Sequence, residues 1–224
     1  MKVKSLILSM ALLLGAGSVW ADDNVSVIRP LNIKAGQTQK VAVALENANA
    51  YTAFQMDIKL PTGLTLSNPK SLRTSDATFH NISFGEVEGV TRVVALSYKQ
   101  ENDGSVLAGN GNLNFIDGNS PIILFFDIIA AADYVDNGNI EVKNVKFVSA
   151  TGNTQTLADA SSASGSILGD TNSSGNINTV DASYILMSIV GSNPENFVKK
   201  AADIDLNGII NTVDATLILR MLVE

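Results

Sequence analysis

Two stretches near the end of the chain place oxygen-bearing side chains at the same intervals: DTNSSGNINTVD from Asp170 to Asp181 and DIDLNGIINTVD from Asp203 to Asp214. In the first, Asp170, Asn172, Ser174, Asn178 and Asp181 stand at positions 1, 3, 5, 9 and 12, with Gly175 at position 6. In the second, the same positions hold Asp203, Asp205, Asn207, Asn211 and Asp214, with Gly208 at position 6. The main-chain carbonyls of Asn176 and Ile209 fall at position 7. This is the spacing of a twelve-residue calcium loop, which needs side-chain oxygens at 1, 3, 5 and 9, a carbonyl at 7, a two-oxygen carboxylate at 12 and glycine where the chain turns sharply. Calcium suits such a set because it accepts many oxygens in irregular geometry, whereas magnesium demands a tight octahedron and zinc favours His or Cys. Two ions are expected, one per loop. The second loop offers three carboxylates and the first only two, with Ser174 a weak ligand, so the second site is expected to bind more tightly.

The elements that must hold these loops follow from periodicity. Behind each loop runs an apolar stretch, DASYILMSIVG and DATLILRMLVE, that reads as a helix, while SASGSILG ahead of Asp170 has no helical period. Ile177 and Ile210, at position 8, are apolar in both copies and are expected to be buried between the loops. YILMSIV and LILRMLV are apolar nearly all round, more than two short helices could bury on each other, and the leftover surface points to a partner.

From about Asn24 to Val148 the pattern changes to strands. In TAFQMDIKL, Phe54, Met56, Ile58 and Leu60 alternate with polar residues, and KVAVALE, TRVVALSY, IILFFDIIA and IEVKNVKFV read similarly. Glycine, proline and asparagine turns punctuate them, which predicts an antiparallel β-sandwich. In IEVKNVKFV the apolar positions slip by one residue, a sign of a bulge or a change of sheet near Asn144. TGNTQTLADASSASGS is polar and without period, and reads as a linker, or a last strand and then a linker.

The first residues read as an address. Lys2 and Lys4 precede an apolar stretch, Leu6 to Val19, too short to span a bilayer comfortably, and Val19-Trp20-Ala21 offers small residues where a signal peptidase cuts. The expected domains are a signal peptide at 1–21, a β-sandwich from 22 to 150 or as far as about 168, and a small helical domain at 169–224. The mature chain would be secreted, extracellular or periplasmic, with no membrane insertion. Its 203 residues would carry 13 basic against 22 acidic side chains, net −9, which makes nucleic acid and anionic membranes poor partners. With no cysteine in the chain, stability must come from core burial or metal.

A calcium loop with only the outgoing helix, ending in Asp181 or Asp214 and duplicated within about sixty residues, resembles a type I dockerin module. The resemblance covers Gly169 to the C-terminus and implies a small calcium-folded domain that docks onto a cohesin module, typically in secreted polysaccharide-degrading complexes. It implies partner-reading positions at Thr179, Val180, Leu186 and Met187 in one copy and at Thr212, Val213, Leu219 and Arg220 in the other. The shared Thr-Val pairs make the module nearly two-fold symmetric, able to dock either way round. Ser174 departs from the family pattern and puts the occupancy of the first site in doubt. The strand region more loosely resembles the cohesin and carbohydrate-binding sandwiches, through LNIKAGQTQKVAVALENANAYTAFQMDIKLPTGLTL and IEVKNVKFVSATG. The expected function is a non-catalytic adaptor whose cohesin partner lies in another chain or in its own sandwich; a glycan-binding sandwich delivered by the dockerin, or an accessory part of a glycoside hydrolase system, is the alternative.

No catalytic motif is present: there is no Gly-x-Ser-x-Gly, His-Glu-x-x-His or phosphate loop. His80, the only histidine, reads as an exposed loop residue. A glycosidase needs only two carboxylates, which keeps Asp57, Glu86, Glu88 and Asp127 open, although solvated charge is the better reading of each. Trp20 would leave with the signal peptide, so Tyr51, Tyr98 and Tyr134 are the aromatic candidates for a sugar platform.

Overall fold

The computed structural model describes residues 23–46, 51–71, 78–100, 106–108, 120–136, 138–149 and 152–223. The proposed signal peptide lies outside them.

Two sheets form the N-terminal part. One carries β1 (Asn24–Arg29), β2 (Thr38–Glu46), β4 (Leu64–Ser71), β8 (Ile122–Ala130) and β12 (Ser166–Ile167) in the order β12-β1-β2-β8-β4. The other carries β3 (Ala53–Lys59), β5 (Thr78–Val87), β6 (Val90–Gln100), β9 (Glu141–Val148) and β10 (Thr154–Thr156) in the order β10-β9-β3-β6-β5, with β7 (Val106–Ala108) on β6 and β11 (Ala160–Ser161) on β9. Every pairing is antiparallel except β1 with β12. The inner faces meet in one core that includes Phe54, Met56, Leu124, Phe126 and Phe147. Phe147 is its aromatic centre, with ring centroids 4.9 Å from Tyr51 and 5.8 Å from Phe54.

The slip in IEVKNVKFV is a bulge within one sheet: the pairing of β3 with β9 shifts between Gln55 and Asp57, and Asn144 has a left-handed φ of 50°. The bulge corrects the reading of Asp57 as solvated charge. Asp57 does point away from the core, yet it is 2 % exposed. Arg92 grips it with two hydrogen bonds, Nε to Oδ1 at 2.6 Å and Nη2 to Oδ2 at 2.8 Å, and Asn144 Nδ2 donates to Oδ2 at 2.7 Å. The Arg92 hydrogen bonds hold its carboxyl below the usual aspartate range, against the opposing effect of burial. A depressed acid contributes stability above its unfolded pKa, near 3.9, and that contribution is lost as pH falls through the lower folded value. Asp57→Ala should therefore cost roughly 1.5–3 kcal/mol at neutral pH, toward the low end because the Arg92 side chain is 36 % exposed and water screens the pair. Urea melts of both proteins should converge below about pH 4; a gap unchanged down to pH 2 would refute the assignment.

The segment read as linker is no free tether. It lays β10 and β11 along β9 and then β12 beside β1. Gly165 is required there, because a Cβ would sit 2.1 Å from the Val27 carbonyl oxygen.

After β12 come α1 (Thr179–Ile189), a 3-10 turn (Lys199–Ala201) and α2 (Thr212–Met221). The two helices pack on each other around Ala182, Ile185, Ile204, Ile210, Ala215 and Ile218, with Ile177 partly buried beside them. Among the described residues no helix is long and apolar enough to cross a membrane.

Candidate functional site

Each twelve-residue loop is organised by its two end carboxylates. Asp170 accepts the main-chain N–H of Ser174 at 2.9 Å and of Gly175 at 2.8 Å; Asp203 accepts those of Asn207 at 3.1 Å and Gly208 at 3.0 Å. At position 12, Asp181 Oδ1 accepts from the N–H of Thr171 at 2.9 Å and of Asn172 at 3.2 Å, while its Oδ2 accepts from Asn178 N–H at 2.9 Å. Asp214 repeats this with Ile204, Asp205 and Asn211. The position-9 asparagines cap the helices: Asn178 Oδ1 accepts from Val180 N–H and Asn211 Oδ1 from Val213 N–H, completing a reciprocal box with Asp181 and Asp214. Position 12 therefore ties the start of the loop to the start of the helix. Position 6 needs glycine, with φ of 81° at Gly175 and 88° at Gly208.

The second loop gathers carboxylate oxygens of Asp203, Asp205 and Asp214 within 4.8 Å of one another. Asp203 and Asp214 are fully buried, and burial pushes both carboxyls above the ordinary aspartate range. Among the described residues no lysine or arginine pairs with any of the three. Three acids converging without a counter-charge fit a hard cation, and their all-oxygen chemistry fits calcium. In the first loop Ser174 Oγ hydrogen-bonds the Asn176 carbonyl at 3.1 Å; in the second, Asn211 Nδ2 donates to the Ile209 carbonyl at 3.3 Å. The position-7 carbonyls thus face the side chains expected to share an ion with them. If charge sets affinity, Asp203→Ala should weaken the tighter of two calcium-binding steps in calorimetry, and Asp170→Ala the weaker one. The reverse assignment would reject the ranking.

All eight expected partner-reading residues are exposed. Val180, Leu186 and Met187 are 46, 44 and 40 % exposed, Val213 and Leu219 are 50 and 44 %, and Thr179, Thr212 and Arg220 are open to solvent. Ile189, Val190 and Val223 are exposed apolar residues as well, whereas Met221 and Leu222 line a cleft with Pro30 and Leu31 of the sandwich. The module meets the sandwich elsewhere. Leu168 N–H donates to the Arg29 carbonyl at 2.8 Å, Ser120 N–H to the Gly208 carbonyl at 3.3 Å, and Lys200 Nζ reaches Glu46 at 3.2 Å and Ser26 Oγ at 3.0 Å. Leu206 is packed with Ile28, Ala42, Ala44 and Ile122, on the outer face of the sheet. Burying a leucine contributes about 1.5–3 kcal/mol. Sequence reasoning missed this contact, although VAVAL in β2 carried its signal: a strand apolar on both faces is covered on both.

The aromatic platform is corrected. Tyr51 and Tyr134 are 2 % and 8 % exposed core residues, with Tyr51 hydrogen-bonded to Asp23 and Gln155. Tyr98 lies on β6 and its side chain is outside the described residues. His80 lies in strand β5 instead of a loop, and its side chain is likewise not described. Glu86 accepts from Thr91, Asp127 pairs with Lys40 and accepts from Asn68, and Glu88 is exposed.

The chain thus joins a two-sheet sandwich to a pair of calcium-type loops, each followed by a helix. Residues 168–223 match the dockerin type I domain family. Such modules are non-catalytic, bind calcium in general and dock onto cohesin domains. No curated protein matches the chain. Similar solved structures include a non-cellulosomal cohesin from the hyperthermophilic archaeon Archaeoglobus fulgidus, 12 % identical over 63 % of this chain and 89 % of that one, with a TM-score of 0.39. Another is a type II cohesin domain from the cellulosome of Acetivibrio cellulolyticus, 5 % identical over 62 % of this chain and 94 % of that one, also with a TM-score of 0.39. The two-sheet architecture rests on the strand pairings of this chain.

Proposed function

We propose that this is an exported, non-catalytic assembly protein that attaches its β-sandwich to a cohesin-bearing protein through a dockerin loaded with two calcium ions. Calcium would be held by Asp170, Asn172, Ser174, Asn178, Asp181 and the Asn176 carbonyl in one loop. In the other it would be held by Asp203, Asp205, Asn207, Asn211, Asp214 and the Ile209 carbonyl. Bound there, it supplies positive charge that neutralises the converging acids and fixes the direction of each outgoing helix. The observation that carries the docking reading is the duplicated face: Val180, Leu186 and Met187 on one helix and Val213 and Leu219 on the other stay at least 40 % exposed although the module is packed on its own sandwich. A polysaccharide-degrading or cell-surface complex is the setting this fits, with the cohesin in a second chain.

The test is light scattering on a sizing column, in calcium and in chelator, with the mature protein alone and with a panel of type I cohesin domains. A calcium-dependent one-to-one complex that is lost on Met187→Glu with Leu219→Glu supports the reading. Growth in mass of the protein alone would place the cohesin function in its own sandwich. A calcium-loaded monomer that binds none of the cohesins would overturn it.

A further inference from the structure

We infer that the β-sandwich clamps the second calcium loop through Leu206 and Ser120, so that this site is energetically coupled to the sandwich through contacts the first loop lacks; the inference rests on the calcium reading of the loops. Position by position the two loops share their glycine, their end carboxylates and their capping asparagine; they differ at positions 2, 3, 5 and 7, and most in size at position 4. There, both chains turn through the left-handed region, with φ of 57° at Ser173 and at Leu206. A leucine is strained in that conformation, where glycine or asparagine is at ease. Ser173 is exposed, whereas Leu206 is 2 % exposed and seated among Ile28, Ala42, Ala44 and Ile122 of the sandwich. The strain in the second loop is thus offset by a contact that the first loop lacks. Ala42 and Ala44 are the small outward residues of β2 that leave room for it.

Ser120, itself 4 % exposed, adds to this from the sandwich: its N–H donates to the Gly208 carbonyl at 3.3 Å and its hydroxyl lies beside the Asp203 carboxylate. The sandwich therefore touches the loop at positions 1, 4 and 6. Gly208 is buried, while its counterpart Gly175 has open space where a side chain would begin. Asp203, Asp205 and Asn207 bracket Leu206 in the chain, so an ion that fixes their oxygens also fixes the direction of the leucine. Coupling of this kind is reciprocal: whatever factor the sandwich adds to calcium affinity, calcium adds to the hold of the module on the sandwich. Because this contact lies away from Val180, Met187, Val213 and Leu219, it fixes the module without covering its docking face.

Calcium calorimetry on the full chain tests this, comparing wild type, Leu206→Ser, which copies the first loop, Ser173→Leu and Ser120→Ala. The expected result is a second-loop affinity about tenfold weaker in Leu206→Ser, and weaker in the same direction in Ser120→Ala, with the first-loop affinity unchanged in both; Ser173→Leu, a strained leucine with no seat on the sandwich, should weaken the first loop alone. Small-angle scattering in calcium should show a larger radius of gyration for Leu206→Ser, as the module comes off the sandwich. Unchanged second-loop affinity and unchanged radius in Leu206→Ser would overturn the coupling while leaving the calcium reading intact. Absence of calcium heat in the wild type would overturn both. Should Leu206→Ser fail to recover its helical signal at saturating calcium, Ser120→Ala decides: its second-loop affinity either falls or the clamp is refuted.

Discussion

Withdrawing calcium from the full chain is expected to melt the helical module and leave the sandwich folded. The module's own core is small, built on seven buried apolar residues of which three are alanines. Its stability is set against three fully buried acids, Asp181, Asp203 and Asp214. A site saturated at a hundred times its dissociation constant adds about 2.7 kcal/mol, so two sites add on the order of 5 kcal/mol. That is comparable to the whole stability of a domain of this size. Circular dichroism in chelator should lose the helical signal and keep that of the strands, and added calcium should restore it. Identical melting curves with and without chelator would sink the idea that calcium holds the module together.

A second large effect is expected in the other half of the chain. Phe147 is fully buried between Tyr51 and Phe54, and Phe147→Ala removes the ring that joins them. Truncating a core phenylalanine costs about 3–5 kcal/mol, since both transfer energy and cavity contribute. For a sandwich of this length the melting midpoint should fall by on the order of 10 °C. The first calcium loop, which makes none of the sandwich contacts that the second makes through Ser120 and Leu206, should keep its affinity in the variant. A shift of only a degree or two would mean that the core closes around the missing ring.

These expectations rest on features that were unequally visible in the sequence. The folding of the loops was legible, because each key position is a residue type at a fixed interval and the second copy repeats the first. The strands were legible wherever one face meets water, as in Phe54, Met56 and Ile58 alternating with Gln55 and Lys59, and so was the bulge at Asn144. Asp57 was misread for a physical reason: a charged residue on an outward face is solvated unless something lies over it, and Arg92 and Asn144 come from strands distant in sequence. The two- and three-residue strands β10, β11 and β12 exist through their partners and not through their own propensity, so TGNTQTLADASSASGS carries no pattern to reveal them. Leu206 was hidden for the same reason as Asp57. Its importance lies in Ala42 and Ala44, more than 160 residues earlier, which look like fillers until the surface above them is known to be occupied.

The parallel pairing of β12 with β1 has a mechanical meaning. The chain leaves β12 directly into the docking module, and β1 begins at the opposite end of the same pair. A pull on the module against β1 would therefore run lengthwise along the two strands. It would load their hydrogen bonds, together with that from Leu168 to Arg29, in shear and all at once, the geometry in which short strands resist pulling best.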